Sequence, residues 1–205
     1  MTIDNDDLLN SIIASLRRID TISSDEFPGI DLYMDQLTSF MNDRLKKTTR
    51  YPDTDKILTK TMINNYAKND LLPPPEKKKY SKDHLIILLF IYYYKNIMTI
   101  NDIRTILEPL RERFKTEDAD LTIEKIYDEC YGLQKDELEP VIEDIKKKYE
   151  RSLRTFEEAD LSEDEKKRMQ MFSFITLLSY DVYVKKLLIE KIIDNIADDS
   201  ENDRK

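Results

Sequence analysis

A run of ten apolar and aromatic residues, Leu85 to Tyr94, places the tightest limit on how this chain can fold. A helix that is apolar on every side has to be buried on every side, so the run predicts a helix at the centre of the core, with Ser81 as its N-cap. Its length is about half of the roughly 20 residues that a membrane-spanning helix needs. The later stretch from Met169 to Val184 contains interspersed polar residues. We therefore expect no membrane segment and no membrane partner.

The scarcity of glycine limits the rest of the fold. Only Gly29 and Gly132 occur among 205 residues, and frequent hairpins need more turn residues than that. The sequence therefore predicts an all-α protein. A single cysteine, Cys130, and an acidic N-terminal opening instead of a basic one lead us to expect a cytoplasmic location.

Apolar spacing predicts helices at both ends of the chain. Leu8 to Ile19 repeat at helical intervals, so residues 1–30 are predicted as an N-terminal amphipathic helix with its following break. From Leu138 to Phe156 the spacing alternates near three and four, which favours core packing, with a dimer seam as the second interpretation. A capping box at Ser162 predicts the start of a last helix, which ends near Ala197 before an acidic disordered tail, residues 198–205.

Charge is segregated along the chain. The window from Arg44 to Lys82 holds eleven basic and four acidic residues, a net charge of +7, which leaves −16 for the remainder of a chain whose total is −9. An acidic protein is a poor partner for phosphate unless its basic residues are clustered, as they are here. The window therefore indicates a nucleic-acid-binding region, and a solvated helix face is the alternative.

A short helix in this window carries side chains suited to DNA. Amides can bind adenine edges and ammonium groups can bind phosphates, while a lysine run after three prolines would contact the backbone without specifying sequence. Tyr66 could donate a hydrogen bond to a phosphate. The predicted DNA-binding residues are Lys60, Thr61, Asn64, Asn65, Tyr66, Lys68, Lys77, Lys78, Lys79 and Tyr80.

The same segment resembles a known family. Residues 59–74 read TKTMINNYAKNDLLPP, which is similar to the recognition helix of MerR-type regulators, where Thr-Leu-Arg-Tyr-Tyr leads into Gly-Leu-Leu-x-Pro. YSKDHL (80–85) resembles the end of the family's wing, and KNIMTINDI (95–103) resembles the entry to its fourth helix. The chain is also similar to an uncharacterised bacterial family of unknown function that shares this MerR-like core.

The resemblance implies a helix-turn-helix core with a minimal wing in residues 31–115, followed by a C-terminal helical region, 116–205, that could mediate dimerisation. The implied function is a sequence-specific transcription regulator that binds double-stranded DNA as a homodimer and reads inverted half-sites. Whether a small-molecule effector is sensed stays open.

Several residues depart from the family pattern. Asn64 and Asn65 stand where the family has Arg and its first Tyr, Asp70 stands where it has Gly, and the wing is shorter. The alternative function is therefore a helical protein-interaction adaptor whose degenerate helix-turn-helix no longer binds DNA.

Other chemistry-bearing residues form no recognisable motif. His84 is the only histidine, so a zinc site of ordinary composition is not expected, and Cys130 lies on an apolar helical face without a partnered base. No glycine-rich phosphate loop or nucleophile elbow occurs. We expect no catalytic activity, no metal site and no cofactor.

Overall fold

The chain forms seven α-helices and one small antiparallel sheet within the described residues. The computed structural model describes residues 5–17, 22–114 and 120–202, with side chains as far as Asp198. These elements confirm the predicted all-α fold. In chain order they are α1 (Asn5–Leu16), β1 (Leu32–Tyr33), α2 (Met34–Leu45), α3 (Lys60–Lys68), β2 (Lys79–Tyr80), α4 (Lys82–Tyr94), α5 (Ile100–Arg113), α6 (Ile123–Leu153) and α7 (Glu163–Asn202).

Two compact units share these elements. The sheet-containing unit comprises residues 21–132 and 189–205, and the helical unit comprises residues 1–20 and 133–188. The sheet-containing unit thus extends beyond the region 31–115 expected from the sequence, since it also includes the segment before β1, the first part of α6 and the last part of α7.

Helix α4 is the centre of the sheet-containing unit, as its apolar run predicts. Every residue from His84 to Tyr92 is buried. Around it pack large side chains from α2, α3 and α5, including Met41, Ile63 and Leu107, each at most 1 % exposed. Full burial of one such aliphatic side chain stabilises a fold by about 1.5–3 kcal/mol, so each of these residues contributes on that order to the stability of the unit.

The sheet joins two distant segments. β1 pairs with β2 with Leu32 opposite Tyr80 and Tyr33 opposite Lys79. The long link between α2 and α3 is also anchored, because the side chain of Asn42 bonds both the backbone N–H (3.3 Å) and the carbonyl (3.2 Å) of Leu58. The link is thus attached to α2 through Leu58, near the start of α3.

The helical unit packs α1 against parts of α6 and α7. Tyr149 of α6 donates a 2.6 Å hydrogen bond to Asp6 and its ring lies 5.3 Å from that of Phe174. Ile142 is fully buried and Tyr149 is 7 % exposed, so core packing, the favoured interpretation of the Leu138 to Phe156 pattern, is confirmed for these positions. Near its end the pattern leaves Phe156 40 % exposed.

One boundary differs from expectation, and α6 is a single long helix. α6 runs unbroken for 31 residues with Pro140 inside it. α7 continues to Asn202, so residues 198–202 are helical where a disordered tail was predicted, and residues 203–205 lie outside the described part of the chain. A helix that is already 35 residues long propagates readily, because each added residue gains a hydrogen bond without a new nucleation step. Among the described helices, none has the length and apolarity to cross a membrane.

Candidate nucleic-acid interface

Helix α3 presents a polar face to solvent. Its start is set by Thr59, whose hydroxyl accepts a 3.2 Å hydrogen bond from the backbone N–H of Met62. Ile63 and Tyr66 turn inward and are buried, 0 % and 7 % exposed. Spacings of three and four residues then gather the opposite, solvent-exposed face: Thr61, Asn64, Asn65 and Lys68. These four belong to the ten residues predicted from the sequence, and helical periodicity explains why they share a face. Their contact with DNA stays a prediction.

The two asparagines are available for binding. Neither side-chain amide forms a hydrogen bond within the described residues, and both residues are exposed. An amide carries two donor hydrogens and one acceptor oxygen, which is the complement of the adenine edge in the major groove. The exposed face of α3 therefore carries donors and acceptors that suit base edges. The same face carries Lys68, which forms no ion pair among the described residues and whose ammonium group suits a phosphate.

A Schellman motif ends α3. Asp70 adopts a left-handed conformation, with φ of 56°. The N–H of Leu71 bonds the carbonyl of Tyr66 at 2.9 Å, and the N–H of Asp70 bonds that of Ala67 at 3.3 Å. Glycine is the usual residue at such a position. Asp70 therefore performs the backbone role of the glycine it replaces, and the departure noted in the sequence leaves the helix ending intact.

The segment expected to form a wing, residues 73–80 and called the wing below, contains a tight turn whose tip consists of two lysines. Lys77 and Lys78 both have positive φ, 49° and 66°, and the N–H of Lys79 bonds the carbonyl of Glu76 at 2.8 Å. Positive φ at both central residues defines a type I′ turn, in which Asn and Gly are preferred. Two exposed ammonium groups thus stand at the tip at a cost in backbone strain.

The wing and α3 lie on the same side of the unit. The ammonium group of Lys79 lies 5.3 Å from the ring centroid of Tyr33, while Lys60 at the start of α3 forms an ion pair with Asp35. Tyr33 and Asp35 are two residues apart, where β1 meets α2. Lysines from two separate segments are therefore brought to one surface, the candidate interface.

Not all of the basic window belongs to this surface. Arg44 pairs with Glu26 at 2.8 Å, Lys46 with Asp53 at 3.3 Å and Lys82 with Glu124 at 2.6 Å. These cations are balanced by acids of their own unit. Within the candidate interface, Lys60 is likewise paired with Asp35, and Lys77 lies 3.9 Å from the carboxylate of Glu76. The net charge of +7 along the sequence therefore overstates the charge of any one surface, and the candidate interface depends on the lysines of α3 and the wing.

A comparison with known protein families shows which family the chain belongs to. A family described as a domain of unknown function, DUF1836, matches residues 22–130, more than half of the 205 residues. The chain belongs to the DUF1836 family. No curated protein and no solved structure matches it. All ten residues predicted to bind DNA lie inside the DUF1836 domain, whereas α7 lies outside it.

Two of the ten predicted residues differ from the rest in position. Tyr66 and Tyr80 are 7 % and 4 % exposed, and burial raises the pKa of both phenols. They hold α3 and β2 against the core of the DUF1836 domain, and contact between their hydroxyls and phosphate stays a prediction. In the sequence alone, a tyrosine that packs into the core and a tyrosine that contacts phosphate look the same, so the two roles could not be separated there.

His84 connects the wing to the core. Its Nδ1 accepts a 3.0 Å hydrogen bond from the N–H of Ser81, its Nε2 lies 3.4 Å from the carbonyl oxygen of Pro74, and its ring packs edge-on against Tyr80 and Phe114. These contacts fit a neutral ring with its proton on Nε2. Burial lowers the pKa of His84, which outweighs the opposite effect of the Pro74 carbonyl. The histidine thus has a structural role.

Sequence reasoning missed three residues of this surface. Asp35 pairs with Lys60, Tyr33 lies against Lys79, and Arg104 of α5 donates a 3.1 Å hydrogen bond to the carbonyl of Asn69 just after α3. Each partner is at least 25 residues away in sequence. No local pattern could have indicated these contacts.

Proposed function

We propose that the DUF1836 domain binds double-stranded DNA as a MerR-like helix-turn-helix with a minimal wing, and that the protein is a transcription regulator acting as a homodimer. The observation that carries the proposal is the shared surface of α3 and the wing. It joins two unbonded exposed amides, from Asn64 and Asn65, to the lysine-tipped turn at 77–78.

The order of elements supports the MerR-like interpretation. β1 leads directly into α2, α3 follows after the link, and the short hairpin returns to pair with β1 before α4 begins. In such an arrangement α3 would read bases from the major groove, and the wing would bind the neighbouring backbone. The link of 14 residues between α2 and α3, residues 46–59, is longer than the family's tight turn, and Asn42 anchors it at Leu58.

A selection experiment tests specific binding. Purified protein is mixed with sheared genomic DNA at near-physiological salt, and the retained fragments are sequenced. Enrichment of a few promoters that share an inverted repeat is expected from a dimeric regulator. Uniform weak retention that vanishes with salt, or no retention, would contradict the proposal.

The wing is tested separately with matched variants. Lys77→Glu with Lys78→Glu should weaken binding to all sequences and lower the salt dependence of binding, because phosphate contacts are lost. Lys166→Glu with Lys167→Glu changes the net charge equally on α7, outside the DUF1836 domain, and should have little effect. Equal losses in both double variants would mean that only overall charge matters.

Base reading by α3 has its own test. Asn64→Ala should relax preference at one or two positions of the selected site and leave affinity for other sequences nearly unchanged. A uniform loss across all sequences would assign Asn64 to the backbone instead of the bases.

The second candidate function is a protein-interaction adaptor that has lost DNA contact. It is favoured by the acids of the surface, since Asp35 pairs with Lys60 and Asp70 is exposed at the end of α3. The adaptor should be recovered from cell extract with a stoichiometric protein companion after nuclease treatment. Recovery of nucleic acid alone would exclude it.

A further inference from the structure

The link between α2 and α3, residues 46–59, is basic and has a net charge of +2. Its exposed cations that form no ion pair among the described residues are Lys47, Arg50 and Lys56. Both of its acids are engaged within the link. Asp53 pairs with Lys46 at 3.3 Å, and the carboxylate of Asp55 accepts a 3.0 Å hydrogen bond from the N–H of Tyr51. The link therefore carries positive charge that its own acids do not balance.

Tertiary contacts hold both ends of the link in place. The hydroxyl oxygens of Thr48 and Tyr92 lie 2.6 Å apart, which attaches the first part of the link to α4. Near the other end, the ammonium group of Lys95 donates a 3.1 Å hydrogen bond to the carbonyl of Ile57, beside the residue that Asn42 anchors. A loop that is fixed in advance loses less conformational freedom when it binds a partner.

The middle of the link presents an arginine beside an exposed ring. The backbone N–H groups of Thr54 and Asp55 both bond the carbonyl of Tyr51, at 3.1 and 2.9 Å, so the chain closes into a turn. The guanidinium of Arg50 lies 5.4 Å from the ring centroid of Tyr51, which is 57 % exposed. A guanidinium beside a ring keeps N–H donors at its edge, and their fork matches two phosphate oxygens.

The link and the wing lie at opposite ends of α2. Lys79 of the wing lies against Tyr33 at the start of that helix, and the link is bonded to Asn42 near its end. The 12 residues of α2 make it about 18 Å long, whereas the major groove is about 12 Å wide. Elements at the two ends of α2 are therefore far enough apart to reach the backbones on either side of one groove.

We propose that the link is a second phosphate-binding element, which contacts the DNA backbone across the major groove from the wing through Lys47, Arg50 and Lys56. This inference rests on the proposed function and adds an element that the tight turn of a MerR-like module lacks. A recognition helix contacts bases with its N-terminal residues, so the chain that enters α3 has to pass over one edge of the groove.

A cleft beside the link shows which of its residues lie near α3. Lys56 and Thr59, the N-cap of α3, line this cleft together with Asp43 of α2. Asp43 is exposed, and its negative charge would stand close to any phosphate that Lys56 binds. Removal of Asp43 and removal of Lys56 should therefore change DNA affinity in opposite directions.

The test is the salt dependence of binding between the full chain and a fluorescent duplex of mixed sequence, measured by anisotropy. The logarithm of the binding constant falls with the logarithm of salt by about 0.9 per phosphate contact, so loss of three contacts should lower the slope by about 2.7. The variant that should show this change combines Lys47→Gln, Arg50→Gln and Lys56→Gln. Asp43→Asn should instead strengthen binding, by up to about fivefold.

A matched control separates local contacts from overall charge. Lys135→Gln with Lys167→Gln and Lys191→Gln removes three exposed cations outside the DUF1836 domain and should leave the slope unchanged. Urea unfolding of every variant should match that of the wild type, because the changed side chains are exposed.

The arrangement across the groove has a test of its own. An iron chelate is attached at position 50 or at position 78, through Arg50→Cys or Lys78→Cys in a Cys130→Ser background, and cuts a duplex that carries a site from the selection experiment. The two chelates should cut opposite strands. Cleavage of one strand at the same place by both would overturn the arrangement.

Failure of the link and failure of the proposed function are distinguishable. If the wild type binds the duplex and the link variant keeps its slope, the link inference alone is overturned, and DNA binding stands. The same follows if the control variant loses as much of the slope as the link variant. If the wild type binds no duplex even at low salt, both proposals are overturned.

Discussion

Replacement of Asp70 by glycine should stabilise the sheet-containing unit. Asp70 has φ of 56° at the end of α3, where both hydrogen bonds of the Schellman motif require a left-handed residue. A residue with a Cβ pays about 1–2 kcal/mol in this conformation, and aspartate pays less than most because its side chain can bond locally. Relief of this strain, partly offset by the larger entropy of glycine in the unfolded chain, predicts a gain of about 0.5–1 kcal/mol from the backbone alone.

A second substitution at the same position separates backbone strain from charge. Asp70→Ala removes the carboxylate from the helix C-terminus as Asp70→Gly does, and that removal alone is worth about 0.3–1 kcal/mol in both variants. Alanine keeps the left-handed penalty, so the glycine variant should exceed the alanine variant by roughly 1 kcal/mol.

The assay is equilibrium urea unfolding followed by circular dichroism at 222 nm, with the wild-type protein and both variants at one pH. Equal free energies of unfolding for the glycine and alanine variants would refute the reasoning, because they would show that no left-handed strain is relieved. If the proposed function holds, both variants should also bind DNA more tightly than the wild type, since each removes a negative charge beside α3.

Three further predictions concern the turn at 77–78, the buried ring of His84, and the ion pair between Asp35 and Lys60. Lys77→Asn with Lys78→Gly should raise the free energy of unfolding by about 1 kcal/mol, because Asn-Gly suits a type I′ turn, and yet should weaken binding of labelled DNA in an anisotropy titration. Burial lowers the pKa of His84 in the folded protein below its ordinary value of 6.5, so protonation favours the unfolded chain. The free energy of unfolding should therefore fall as the pH drops below 6.5, by at most about 1.4 kcal/mol per pH unit. Urea unfolding between pH 7.5 and 5.5 should show this loss, and His84→Gln should reduce it. Asp35→Asn should tighten DNA binding by freeing Lys60 with almost no change in melting temperature, since both side chains of that ion pair are more than half exposed; a marked drop in melting temperature would instead make Asp35 a structural residue.

Local rules decide much of this protein directly from its sequence. Ten successive apolar residues leave α4 no position except the core, whatever surrounds it. Helical periodicity sets Thr61, Asn64, Asn65 and Lys68 on one face, and the threonine before α3 determines where that helix begins. These features depend on residues within a few positions of one another, so a pattern in the sequence is enough to predict them.

Tertiary structure alone decided the rest, because it depends on contacts between residues far apart in the chain. The pairing of Leu32 with Tyr80 and the ion pair of Lys60 with Asp35 bring the wing and α3 to one surface, and neither contact has a local signal. The sequence likewise shows that α7 has apolar residues on more than one side. Only packing of Phe174 into the helical unit determines which side is buried and which side remains exposed, since the hydrophobic effect rewards burial of apolar area without specifying its partner.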